Sequence, residues 1–237
     1  MTEAIETLLF DFGGTLDADG VAWKERFHAL YRAEGLDISA EAFAPAFYAA
    51  DDPLVGRLAP TAGLDETVHA LAANLEAELA KRGAGGGADR KSADGERANR
   101  VASRFLSEAS AAFARNRPVL AALGQRCRLG VVSNFYGNLA AVCGSANLAS
   151  LFGAVTDSHC VGAEKPDPAI FRAALKALGA TPETTLLVGD SLRRDGEGAR
   201  RAGLAFIWIA PREAQAAAAR PTLATLTELP HLLDVLG

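Results

Sequence analysis

Sulfur and aromatic residues are scarce in this 237-residue chain, which has three cysteines, one methionine and 7% aromatics. Cys127, Cys143 and Cys160 are odd in number and lack CxxC spacing. They form no metal-ligand pattern with His28, His69, His159 or His231, which argues against a disulfide framework or a zinc site. All three read as reduced core thiols, and a His159-Cys160 thiolate site is disfavoured because neighbours on a strand or turn point different ways. No run approaches 18 apolar residues, and residues 1–6 carry two glutamates without an apolar signal region, so neither a membrane span nor a signal peptide is expected and the expected location is cytoplasmic. A cationic excess is also missing: 24 Lys and Arg stand against 29 Asp and Glu, a formal charge of −5, with the basic residues dispersed. Nucleic-acid binding needs clustered cations, so no such partner is expected.

What is present is an ordinary globular composition, 49% hydrophobic and 22% charged, in a chain long enough for one large domain or a core with a smaller companion. Its organising stretch is Leu8–Asp17, Leu-Leu-Phe-Asp-Phe-Gly-Gly-Thr-Leu-Asp. The apolar residues read as the end of a buried strand over about residues 6–10, Asp11 stands where it stops, and Gly13-Gly14 permit a sharp turn beneath a ligand.

The period then changes to that of a helix. Trp23, Phe27, Leu30 and Tyr31 share one face of an expected helix 21–34 ended by Gly35, and this aromatic stripe reads as packing. Residues 39–50 predict a helix shortened or kinked by Pro45. Asp65 is the expected cap of a helix lined by Val68, Leu71, Leu75 and Leu79 and ending at Gly83. The glycine-rich segment 83–95 lacks a Walker pattern and reads as a flexible loop. A helix over 96–116 follows, so residues 18–117 are expected to be helical throughout.

From Pro118 the pattern alternates. Residues 129–133, 154–157, 185–189 and 204–209 are short apolar runs of buried-strand type separated by helical segments, the signature of a parallel α/β sheet. Asp167-Pro168 opens one of these helices and Gly179 closes it; another closes at Gly203. The first strand can join this sheet only if the helical block is an insertion. In an open parallel sheet, ligands sit beyond the carboxyl ends of the strands. Besides Asp11, those ends carry Ser133-Asn134, Lys165-Pro166 in the loop after 154–157, and Asp190-Ser191 with Asp195 five residues on.

In this order and placement the four groups resemble the motifs of a haloacid dehalogenase-superfamily hydrolase with an α-helical C1 cap. The resemblance implies a Rossmann-like parallel α/β core over 1–17 and 118–237 with an inserted helical cap over 18–117. It implies Asp11 as nucleophile and Lys165 as the cation that neutralises it and the phosphate. Asp11, the Gly13 carbonyl, Asp190 and Asp195 would hold Mg²⁺. The phosphoryl oxygens would rest on Ser133, Lys165 and backbone amides near Gly14, Thr15 and Asn134. This chemistry is self-consistent, because two anions meet at Asp11 and need fixed positive groups between them, and hard oxygen ligands suit Mg²⁺. The expected partner is a small phosphorylated molecule, and the expected assembly a monomer or homodimer.

One position departs from the pattern. Most phosphatases of this superfamily carry a second aspartate, the general acid, two residues after the nucleophile, where this chain has Gly13. Asp17 and Asp19 read as turn and capping residues. The leading expectation is an Mg²⁺-dependent phosphatase that is slow on alkyl esters. The alternatives are a dehalogenase or phosphonate hydrolase, for which Lys24 is the nearest Schiff-base lysine, and a catalytically weak binding or regulatory protein. Arg57, Lys81, Arg82 and Arg193 are the cations that could meet an anionic substrate, with solvated surface as their default.

Overall fold

The computed structural model describes residues 4–84, 90–215 and 221–236. Six parallel strands, β1 (Thr7–Phe10), β2 (Arg128–Ser133), β3 (Ala154–Asp157), β4 (Thr185–Gly189), β5 (Ala205–Ile209) and β6 (Thr222–Leu223), form one sheet in the order β3-β2-β1-β4-β5-β6. This is the α/β, Rossmann-like architecture expected from the alternating pattern. β1 lies at the centre, with Leu9 opposite Gly130 on one side and Leu187 on the other. All four of its residues are buried, as a strand covered on both faces requires. The strand order reverses between β1 and β4, so Asp11 and Asp190 flank the crevice in which such sheets bind ligands. The two-residue β6 has too little apolar pattern to be read from sequence.

Between β1 and β2 the chain forms α1 (Trp23–Ala33), α2 (Ala40–Asp51), α3 (Leu64–Lys81) and α4 (Arg90–Leu123). Gly35, at φ +85°, lies just beyond the first, as expected of a terminator. Pro45 neither shortens nor breaks α2, because Phe43, Ala46, Phe47 and Ala50 anchor one face and the Ser39 hydroxyl caps its start. The cap of α3 is Gly63 rather than Asp65: Glu66 reaches back to the Gly63 amide at 2.9 Å, and Asp65 sits in the first turn.

The largest departures concern α4. Residues 90–95, a loop by composition, are its first turns, while 85–89 lie outside the described residues. At the other end Pro118 lies inside the helix, which continues to Leu123. Leu120 and Leu123 are buried, so tertiary packing outweighs the hydrogen bond that proline forfeits. One apolar cluster then runs without a break from Val68, Leu75 and Phe105 in the helical block to Phe10, Val131 and Ile207 in the sheet. The helix Pro168–Leu178 follows its sequence signals: Asp167 accepts from the Ala169 amide at 2.8 Å, and Gly179 ends it at φ +60°. No described helix is long and apolar enough to cross a membrane.

Candidate active site

Parallel pairing places the ends of β1, β2 and β4 side by side, and the residues after them meet. The Ser133 hydroxyl donates to Asp11 Oδ1 at 2.7 Å. Lys165 Nζ donates to the same oxygen at 2.6 Å and to Asp195 Oδ1 at 2.6 Å, buried to within 4% exposure. Asp195 is fully buried on a π-helical turn, Leu192–Gly196, and its second oxygen accepts from the Ser191 amide at 3.0 Å. Asp190 completes the group; the carboxylates of Asp11, Asp190 and Asp195 offer oxygens within 4.8 Å of one another.

Two glycines make this approach possible. Gly14 takes φ +88°, and a Cβ there would lie 2.6 Å from the Asp190 carboxylate. At Gly189 a Cβ would fall 2.4 Å from the Asp195 carboxyl. The electrostatics follow from crowding. Burial, then Asp11 and Asp195, push the Asp190 carboxyl well above its ordinary value. Burial likewise raises Asp195 although Lys165 opposes it. Burial acts to lower Lys165, but Asp11 and Asp195 overcome it and hold the ammonium up at about 12. Three carboxylates thus share one cation, and the group is short of positive charge. An all-oxygen set with that deficit fits a divalent hard cation.

Each remaining candidate finds a definite place. The Asn134 side chain is committed to the Lys165 backbone, accepting from its amide at 2.7 Å and donating to its carbonyl at 3.2 Å, so it fixes the lysine's loop. The amides expected to hold an anion need correction. Gly14 donates to Asp17 Oδ1 at 2.7 Å and Thr15 to the Phe12 carbonyl at 3.2 Å, because the turn closes on itself. Among the described residues, the amides of Phe12, Gly13 and Asn134 have no acceptor. The Thr15 hydroxyl is buried and lacks a partner.

Asp17 is a buried tie. It accepts from Gly14, from Trp23 Nε1 at 2.7 Å and from Arg26 Nη1 at 2.7 Å; burial still pushes its carboxyl up. Asp19 pairs with Arg115 at the surface. Lys24 lines the cavity. Burial acts to lower its ammonium, but Glu25 raises it on balance, the opposite of what an amine nucleophile needs. Arg193 also lines this cavity, whereas Arg57 and Lys81 border a separate cleft and Arg82 pairs with Glu78. The cysteines also need correction. Cys143 is buried and pushed up to about 12 by desolvation, Cys127 is half-buried, and Cys160 is exposed. None is shifted toward a thiolate.

The cavity over Asp11 measures about 670 Å³ and is walled by residues that sequence reasoning left aside. Trp23 and Tyr48 come from the helical block. Tyr136, on the loop after β2, donates to Asp51 Oδ1 at 2.5 Å. Tyr136 stands only three residues beyond Ser133, a proximity that could have marked it.

A lysine-bridged pair of aspartates at the carboxyl edge of a parallel sheet, roofed by a helical block inserted between β1 and β2, is the layout of a hydrolase built on a Rossmann-like core. The chain belongs to the haloacid dehalogenase-like hydrolases, whose family pattern matches residues 5–203. It is 47% identical over 64 residues to the phosphoserine phosphatase of Thermus thermophilus, covering 27% of this chain and 26% of that protein. The chain therefore spans about a quarter of the length of that relative. In fold it resembles the putative hydrolase YfnB of Bacillus subtilis, solved bound to magnesium (TM-score 0.57, 22% identity, 98% and 100% of the two chains). It also resembles the L-2-haloacid dehalogenase of Xanthobacter autotrophicus (TM-score 0.58, 19% identity, 98% and 100%).

Proposed function

We propose that the chain is an Mg²⁺-dependent phosphatase of small phosphorylated metabolites, with Asp11 as nucleophile. The observation that carries this reading is Lys165 Nζ seated 2.6 Å from both Asp11 and Asp195. That ammonium offsets the repulsion between a phosphoryl group and the attacking carboxylate. Asp11, Asp190, Asp195 and the Gly13 carbonyl would hold the ion. When bound, Mg²⁺ supplies the missing positive charge beside the phosphoryl oxygens.

The residues divide the remaining work. Asp11 attacks phosphorus, the ester P–O bond breaks with its electron pair leaving on oxygen, and an aspartyl phosphate results. The Ser133 hydroxyl orients Asp11 and, with Lys165 and the free amides of Phe12, Gly13 and Asn134, forms a preorganised seat for the phosphoryl oxygens. Water then cleaves the aspartyl phosphate, releasing phosphate and restoring Asp11. Because Gly13 provides no proton, the leaving oxygen departs as an anion, a handicap of about 10²–10⁴ in rate for alkyl esters. Residues 1–17 and 118–237 act as the catalytic core and 18–117 as the cap that carries substrate selection. The local likeness to a phosphoserine phosphatase supports this chemistry.

A dehalogenase is the second reading, favoured by the absent acid at Gly13 and opposed by the acidic cluster, which needs a cation. Turnover of acyl, aryl and alkyl phosphates with and without Mg²⁺ separates the two. Metal-dependent phosphate release is expected, greatest for acyl and aryl substrates. No metal-dependent turnover on any of them overturns the proposal, and metal-independent halide release from 2-haloacids establishes the other.

A further inference from the structure

We propose that Trp23 is a specificity-determining residue: its indole holds the space over Gly13 where a proton donor would stand, and among phosphate esters it selects those with a planar, aryl- or enol-type leaving group. The inference rests on the hydrolase reading above and deepens it. A Cβ built on Gly13 would lie 3.1 Å from Trp23 Nε1 and 3.2 Å from Cδ1, so a side chain at this position crowds the ring, which would have to give by a few tenths of an ångström. The indole is also pinned. Its N–H is spent on Asp17 at 2.7 Å, and Asp17 is held in turn by Arg26. Phe105 and Phe135 meet the ring edge-on at 5.1 and 5.9 Å. Trp23 is 9% exposed and lines the cavity shared with Asp11.

Two consequences follow for a substrate. The ring offers the leaving oxygen neither a proton nor a free N–H, so groups that are stable as anions are selected. Beyond it, Phe47, Tyr48 and Tyr136 line the same cavity, and Tyr48 is 42% exposed. A planar leaving group can therefore rest against aromatic surface, which favours offset or edge-on ring contacts. The missing acid and the aromatic wall are separate observations that select the same esters.

The test uses the full-length protein with Mg²⁺. Across substituted phenyl phosphates, kcat/KM is expected to rise steeply with leaving-group acidity, and phenyl phosphate to exceed ethyl phosphate by at least about 10²-fold, the lower value of a lost general acid. Equal rates overturn the inference and leave the hydrolase reading standing. Gly13→Asp alone is expected to lower turnover of phenyl phosphate without gaining ethyl phosphate, because the indole blocks the new carboxylate. Combined with Trp23→Leu, it should raise ethyl phosphate turnover at least tenfold over Trp23→Leu alone. The same gain from Gly13→Asp by itself refutes the blocking role. Should the double variant not fold, calorimetric binding to the wild-type protein decides: phenylphosphonate should bind at least tenfold tighter than methylphosphonate. Equal binding overturns the planar seat, and this readout stands even if no ester is turned over and the phosphatase reading falls.

Discussion

Replacing Asp17 with alanine should destabilise the protein far more than the same change at Asp19, two residues away. The Asp17 side chain is fully buried and accepts three N–H groups at 2.7 Å, from Gly14, Trp23 and Arg26. Without it, Arg26 keeps only the Phe105 carbonyl at 3.2 Å, its stacking on the Phe105 ring at 3.7 Å and Glu108 at 3.7 Å. Breaking a buried ion pair from one side costs about 3–5 kcal/mol, much of it the penalty of leaving the other charge unpaired. At about 2–4 °C per kcal/mol for a chain of this size, the expected loss in Tm is roughly 6–20 °C. Asp19 and Arg115 are 39% and 41% exposed, and such pairs contribute about 0–1 kcal/mol, hence a shift below about 4 °C. Thermal and urea unfolding followed by circular dichroism measure both. A double variant, Asp17→Leu with Arg26→Met, should recover most of the loss, since no charge is then stranded. Equal shifts for Asp17→Ala and Asp19→Ala would refute the reasoning, as would a double variant worse than either single change.

Lys165→Met leaves Asp11 and Asp195 without their shared cation and should reduce aryl phosphate turnover by at least about 10²-fold, the scale of one preorganised electrostatic contact; steady-state kinetics with the folded state verified by circular dichroism checks it. Gly14→Ala must fit a Cβ 2.6 Å from the Asp190 carboxylate at φ +88°, so it should destabilise by more than about 1 kcal/mol in urea unfolding. Thiol labelling at pH 8 should modify Cys160 first and Cys143 only on unfolding, read by peptide mass; early labelling of Cys143 would contradict its burial.

The sheet was legible because each strand is a short apolar run that ends on a polar residue, and those ends carry the chemistry. Ser133, Lys165 and Asp195 converge on Asp11 for that reason. Local composition misled where packing decides. Pro45 and Pro118 are helix breakers by propensity, yet both lie within helices whose buried faces hold them. The glycine-rich composition reads as loop through to residue 95, although α4 begins at Arg90. The amides of Gly14 and Thr15 looked available because sequence does not disclose that Asp17 and Phe12 already accept from them. The aromatic stripe reads as packing, and Trp23 is buried, but the role proposed for it depends on its closeness to Gly13, ten residues earlier and up to about 33–36 Å away along an extended chain.

The 34-residue helix α4 has a consequence for how the chain comes apart. At 1.5 Å per residue it is a rod of about 51 Å that begins beside α3 and ends next to the sheet. The apolar cluster crosses the same boundary, and Phe113 of α4 packs against Phe12 just past β1 with ring centroids 5.9 Å apart, so melting the helical block strips cover from Phe12. Exchanging the helical block for another must therefore cut through a continuous helix and a shared apolar core at once.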